Sequence, residues 1–122
     1  MAVAKALGSK RVIAIDIQDE RLKFAKSYAA TDIWKSTPMN KDENKMDYAR
    51  RQSEEMAKSL GLDLGQGENS IDLVVDCTGA EICIATGMYL AKDGGTYVQV
   101  SLNYHFFVVR LLQFDNLPMA CF

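Results

Sequence analysis

The chain has 122 residues, of which 48% are hydrophobic and 25% charged, and a formal net charge of −2. That length supports one core with little room for a second. The balanced charge excludes the electrostatic footprint of a nucleic-acid or anionic-membrane binder, and no apolar run reaches the roughly 18 residues of a transmembrane helix.

The opening MAVAKALGSK is too short in its apolar part for a signal peptide. Cys77, Cys83 and Cys121 form no C-x-x-C pair and fit reduced thiols in a cytoplasmic protein better than a disulfide framework. Residues 1–7 read as the last turns of a helix, with Gly8 as its natural stop. A strand is predicted over 11–15, where Val12 to Ile15 form a run of β-branched and small apolar residues, the pattern of a buried parallel strand, ending in Asp16. A helix is predicted over 19–29, with Leu22, Ala25 and Ala29 on one face and Phe24 and Tyr28 beside it. Residues 31–35 form a short strand candidate, and 36–44 a polar loop containing Pro38.

From 46 to 60 the apolar residues Met46, Ala49, Met56, Ala57 and Leu60 recur at helical spacing. A glycine-rich loop over 61–70 leads to a second continuous apolar strand, 71–75, which ends in Asp76. A helix over 81–91 carries Ile82, Ala85, Met88 and Tyr89 near one stripe. A tight turn at Asp93, Gly94 and Gly95 and a strand over 96–100 follow. The glycine pair serves the turn and not a phosphate loop, because a strand follows it. The run FFVVRLL from Phe106 suits an added strand and, left exposed, is an aggregation hazard.

Strands alternating with helices specify an α/β domain with a parallel sheet and right-handed crossovers, in which 12–15 and 71–75 lie centrally. A carboxylate at the tip of a strand, as at Asp16, can accept hydrogen bonds from both hydroxyls of an adenosine ribose, and its charge repels a 2′-phosphate. The alternative is that Asp16 only favours the start of the next helix. In a dinucleotide fold a G-x-G-x-x-G turn precedes that acid by about 20 residues. Counting back places those glycines before Met1. The expected architecture is therefore an incomplete Rossmann-type doubly wound parallel sheet lacking the first strand and glycine-rich turn. Its neighbouring strands are expected to have open edges, and its affinity for NAD to be poor.

The blocks AKALGSKRVIAIDIQDERLKFAKSYAAT and IDLVVDCTGAEICIATGMYLAKDGGTYVQV resemble the cofactor domain of the zinc-containing medium-chain dehydrogenases. Within them they are most similar to the fungal xylitol and sorbitol dehydrogenase branch. The resemblance covers about residues 2–100, a partial NAD-binding domain, and leaves 101–122 as a divergent tail. It implies NAD-dependent oxidation of a polyol to a ketose, with zinc polarising the substrate alkoxide in the parent enzymes. It also implies assembly into homo-oligomers through a sheet edge. Asp16 matches the ribose-binding acid and Arg21 the arginine beside the adenosine end of NAD. Cys77, Thr78 and Gly79 match the segment lining the cofactor crevice, and Val100 the strand end near the nicotinamide. Ser101 stands where the family usually has glycine.

No metal ligands and no catalytic residue are assigned. Cys77 has no partnered base, because His105 is the only histidine, and one histidine with scattered cysteines lacks zinc spacing. Asp76 is read as a helix-capping and crevice residue and His105 as a packed or surface side chain. The chain alone is expected to be inactive. The alternatives are a non-catalytic nucleotide-binding or subunit-docking fragment, and a methyltransferase, which also holds a ribose with an acid after its second strand. The DCTGAE and DGGTYVQV blocks argue against the methyltransferase.

Overall fold

The computed structural model describes residues 1–100 and Phe122 in full, and the backbone of 106–110 and 119–121. His105 lies outside the described residues, as does the side chain of Cys121. The elements in chain order are α1 (Ala2–Ala6), β1 (Val12–Asp16), α2 (Asp19–Tyr28), β2 (Asp32–Lys35), α3 (Lys45–Leu60) and β3 (Ile71–Asp76). They continue with α4 (Glu81–Leu90), β4 (Ala91–Val100), β5 (Phe106–Arg110) and β6 (Met119–Cys121).

Local chemistry explains most of these boundaries. Gly8 takes φ +91° just past α1, where its N–H donates to the Lys5 carbonyl, so it stops the helix as its sequence position suggests. Asn44 caps α3, its Oδ1 accepting from the N–H of Met46 at 3.0 Å and of Asp47 at 2.9 Å. Gly61 ends the same helix at φ +62°. Arg11 ties three elements together. Its guanidinium makes bonds of 2.9 and 3.2 Å to Asp32 at the start of β2 and one of 2.7 Å to the carbonyl of Leu60 at the end of α3. The paired arginine holds the Asp32 carboxyl below its ordinary range.

One sheet contains all six strands, in the order β2-β1-β6-β3-β4-β5. β1 and β3 are interior, as their aliphatic content predicts, and every pairing is parallel except the antiparallel β4–β5 edge. The expectation that β1 and β3 face an open gap is corrected. Met119–Cys121 pairs in parallel with Val12–Ala14 on one side and with Leu73–Val75 on the other. Periodicity could not reveal this, because a three-residue strand is too short to show any. Phe106–Arg110 adds an edge strand, as its β-propensity predicts.

The core is unequal on the two faces. The larger cluster joins Ile13, Ile15, Ile71, Val74 and Tyr97 of the sheet to Met56 and Ala57 of α3 and Leu90 of α4. The smaller one joins Ala14 to Leu22, Ala25 and Ala30 around α2. Phe24 and Tyr28 stack on each other at 5.5 Å on the outer side of α2, and both are exposed.

Three local readings are corrected. Met46, expected in the core stripe of α3, is 55% exposed. It lies in the first turn, ahead of the stretch in which Ala49, Ser53, Met56 and Ala57 are covered. On α4 the buried residues are Thr86, Gly87 and Leu90, while Met88 is exposed. That helix is apolar nearly all round, so composition marks no face. The turn at Asp93–Gly95 is an irregularity within β4, where the register against β3 shifts between Ile71 and Leu73. Gly94 takes φ +79°, and the carbonyls of Asp72 and Lys92 approach to 3.0 Å of where a Cβ on Gly95 would stand.

Gly87 is the tightest helix–sheet contact. A Cβ there would stand 2.6 Å from Cε2 of Tyr97 and 3.1 Å from Cγ1 of Val74. The ring cannot withdraw easily, because the Tyr97 hydroxyl donates to Asp76 at 3.0 Å. Gly87→Ala gains about 1 kcal/mol of helix propensity but incurs overpacking of roughly 1–3 kcal/mol. The expected outcome is a lower urea midpoint, and Gly87→Ala combined with Tyr97→Leu should recover part of the loss.

Glu43 supplies a pH dependence. Arg51 holds it with bonds of 2.7 and 2.8 Å, and the Asn40 N–H adds one of 3.0 Å. The arginine first, and then the backbone donor, lower its pKa from 4.5 to about 2. A depressed carboxylate stabilises the fold above its unfolded value, and that stabilisation is lost as pH falls through the folded value. Chemical-denaturation midpoints should therefore drop from pH 4.5 towards pH 2, and Arg51→Met should make the drop shallower. An unchanged slope in that variant would contradict the assignment.

Candidate functional site at the strand tips

The chain leaves β1 through α2 towards one edge of the sheet and leaves β3 through α4 towards the other. The C-terminal tips of β1 and β3 therefore border the point where the winding reverses, which is where open α/β sheets bind ligands. β6 lies between them, and Phe122 follows it directly.

Asp16 stands at the tip of β1. Its Oδ1 accepts the Gln18 N–H at 2.9 Å, which shapes the turn into α2, and its Oδ2 lies 3.7 Å from the Arg21 guanidinium. It organises the start of the helix, and the same residue borders the crevice. The Asp16 side chain is 25% exposed and that of Arg21 69% exposed, so a ligand can reach both.

Across the crevice, Asp76 is fully buried and wholly engaged. Its Oδ1 accepts from the backbone N–H of Thr78 at 2.8 Å and from the Thr78 hydroxyl at 2.7 Å, and its Oδ2 from Tyr97. The Thr78 hydroxyl oxygen in turn accepts the Ala80 N–H at 3.1 Å, which starts α4. Asp76 therefore builds the crevice wall and has no free oxygen face with which to act as an acid. Burial, reinforced by the Asp76 charge, pushes the Tyr97 phenol well above its ordinary range.

Two cavities open at these tips. One, of about 300 Å³, is bounded by Ile15, Asp16 and Ile17 after β1, Ser36 after β2, Thr78 and Ala80 after β3, Ile82 and Cys83 on α4, and Phe122. The other, of about 440 Å³, lies towards α2 and is bounded by Ala14, Asp16, Glu20, Leu22, Phe24 and Phe122 among others. Asp16 and Arg21 border both.

The expected site residues thus divide into two groups. Asp16, Arg21 and Thr78 meet at the smaller cavity. Cys77, Gly79 and Val100 are not on its wall. Cys77 is exposed and uses its N–H on the Phe122 carbonyl at 3.4 Å. Gly79 forms the β3–α4 turn at φ +67°, and Val100 ends β4. Phe122 was missed because it falls in the segment unlike the family, and Ile82 and Cys83 because α4 shows no preferred face. Burial raises the Cys83 thiol, partly offset by a hydrogen bond with Thr78, so it is a wall residue and not a thiolate.

A nucleoside suits this site. An apolar slot lies beside a carboxylate that can take a diol, and the volume is at the lower end of the ~300–1,000 Å³ typical of small-molecule pockets. Zinc does not suit it: among the described residues no group of three or more His, Cys, Asp and Glu side chains converges. No helix among them is long and apolar enough to cross a membrane.

With the geometry in place, comparison with known proteins is informative. The family model described as zinc-binding dehydrogenase matches residues 1–117, past Val100 and into the segment expected to depart from the family. D-xylulose reductase A of Aspergillus oryzae is 46% identical over 98 residues, which is 80% of this chain and 24% of that protein. The probable D-xylulose reductases A of Aspergillus terreus and Arthroderma otae are 42% and 41% identical over the same shares. The chain thus spans about a quarter of the length of these relatives. No solved structure matches it. The partial Rossmann-like α/β sheet and these matches together place the chain in the zinc-binding dehydrogenase family.

Proposed function

We propose that this chain is the cofactor-binding portion of an NAD-dependent polyol dehydrogenase of the xylitol and sorbitol type. In this reading it contributes nucleotide binding, and the oxidation of polyol to ketose requires residues of the parent enzyme beyond those described. The observation that carries the reading is Asp16: a quarter-exposed carboxylate at a strand tip, at the winding reversal, beside an apolar slot. A bound ribose would set its two hydroxyls against Asp16, with the base in the slot that Ile17 and Ile82 help to line. The negative charge favours a free 2′-hydroxyl over a 2′-phosphate, and hence NAD over NADP. Arg21 lies beside the carboxylate on the α2 side, 3.7 Å away. The relatives' name, D-xylulose reductase, supports a five-carbon polyol and ketose pair as the parent substrate.

Hydrogen bonds to a charged group contribute roughly 1.5–3 kcal/mol each, and about 1.4 kcal/mol is a factor of ten in affinity. Calorimetry with the purified chain should therefore show NAD bound in preference to NADP. Asp16→Ala should weaken NAD at least about tenfold and erase the preference, with the circular-dichroism spectrum unchanged. Equal binding of NAD by both proteins would remove Asp16 from the ribose site.

A further inference from the structure

We propose that Phe122 divides the crevice, so that the site accepts a nucleoside or mononucleotide and gains nothing from the second half of a dinucleotide. This rests on the nucleotide-binding reading above and concerns the size of ligand that the site admits.

Phe122 is the residue at the tip of the central strand, between Asp16 on β1 and Thr78 after β3. A dinucleotide crossing a doubly wound sheet must lay its pyrophosphate over this tip, and it is held there by unsatisfied backbone N–H groups that glycines allow it to approach. Neither condition is met. The Phe122 N–H donates to the Val75 carbonyl at 3.0 Å, and its carbonyl accepts the Cys77 N–H at 3.4 Å. Among the described residues, the N–H groups of Phe122 and Cys77 at the crossing therefore continue the sheet ladder, and neither is left for a phosphate. The side chain occupies the place that a glycine would leave open. It packs partly buried against the main core, and Phe122 borders both cavities. Bordering both the slot of about 300 Å³ and the cavity of about 440 Å³, Phe122 is the residue placed to separate them. Each holds one part of a ligand, and a continuous extended ligand must displace the ring.

The test compares adenosine, AMP and NAD binding to the purified chain with binding to Phe122→Gly and Phe122→Leu. In the unsubstituted protein adenosine, AMP and NAD should bind within about threefold of one another. Phe122→Gly should tighten NAD at least tenfold while leaving adenosine within twofold, and Phe122→Leu, which keeps the bulk, should behave as the parent. NAD binding tenfold or more tighter than adenosine in the unsubstituted protein would overturn the partition without touching the Asp16 site. So would an Asp16-dependent adenosine affinity accompanied by no gain for NAD in a folded Phe122→Gly. If Phe122→Gly does not fold, the adenosine-to-NAD ratio of the parent and Phe122→Leu proteins decides. Absence of adenosine binding to the folded parent would overturn the nucleotide reading itself, and the partition with it.

Discussion

The structure depends on the backbone ladder that β6 makes on both of its sides. A parallel sheet must satisfy the N–H and C=O groups of its central strands with other backbone, since buried groups left unpaired are costly. Here β1 and β3 each expose one full edge towards the middle, and Met119–Cys121 meets both. The Phe122 N–H and C=O prolong the ladder onto Val75 and Cys77. A strand of three residues thereby joins the β2-β1 pair to the β3-β4-β5 group as one sheet. The register it sets also fixes how far apart Asp16 and Thr78 stand, and so the width of the crevice between them.

Around that sheet the two faces do different work. The α3/α4 side is densely filled, with Ile13, Met56, Ile71, Val74 and Leu90 all but inaccessible. It is also locked by polar anchors, the Asp76–Tyr97 hydrogen bond and the Ser53 hydroxyl donating to the carbonyls of Ala49 and Thr86. The α2 side holds only a small cluster and leaves Phe24 and Tyr28 to solvent. The site lies where these regimes meet. Its rigid wall, Thr78 and Ala80, is tied to the dense side through Asp76. Its charged wall, Asp16 and Arg21, belongs to the thin side, where side chains keep access to solvent. A binding site benefits from that division: a fixed surface for shape, and a solvated carboxylate that needs little desolvation before it meets a ligand.

Several features were legible in the residue pattern because they are local. A β-branched run such as 12–15 or 71–75 can be buried on both faces wherever it goes. A polar cap such as Asn44 and a stop such as Gly61 act within one turn of the helix they bound. The carboxylate of Asp16 reaches a strand tip by simple counting. Other features were illegible for a reason that can be named. Nothing in α4 distinguishes Gly87 from Met88 as the buried position; Tyr97, ten residues later, decides it by placing its ring there. Met46 has the right spacing for the core of α3, but spacing does not report how far along a helix its cover extends.

The sequence by itself determined the alternation of strands and helices, the two central aliphatic strands and the acid at the tip of β1. Each of these follows from periodicity, propensity or capping over a few neighbouring residues. Only the tertiary structure decided which segment lies between β1 and β3, which side of α4 is covered and which residue stands at the crossing of the crevice. Those are choices of pairing and contact between residues far apart in the chain. Met119–Cys121 carries too few side chains to signal its partners, and its place is set by the open backbone edges of β1 and β3 that receive it.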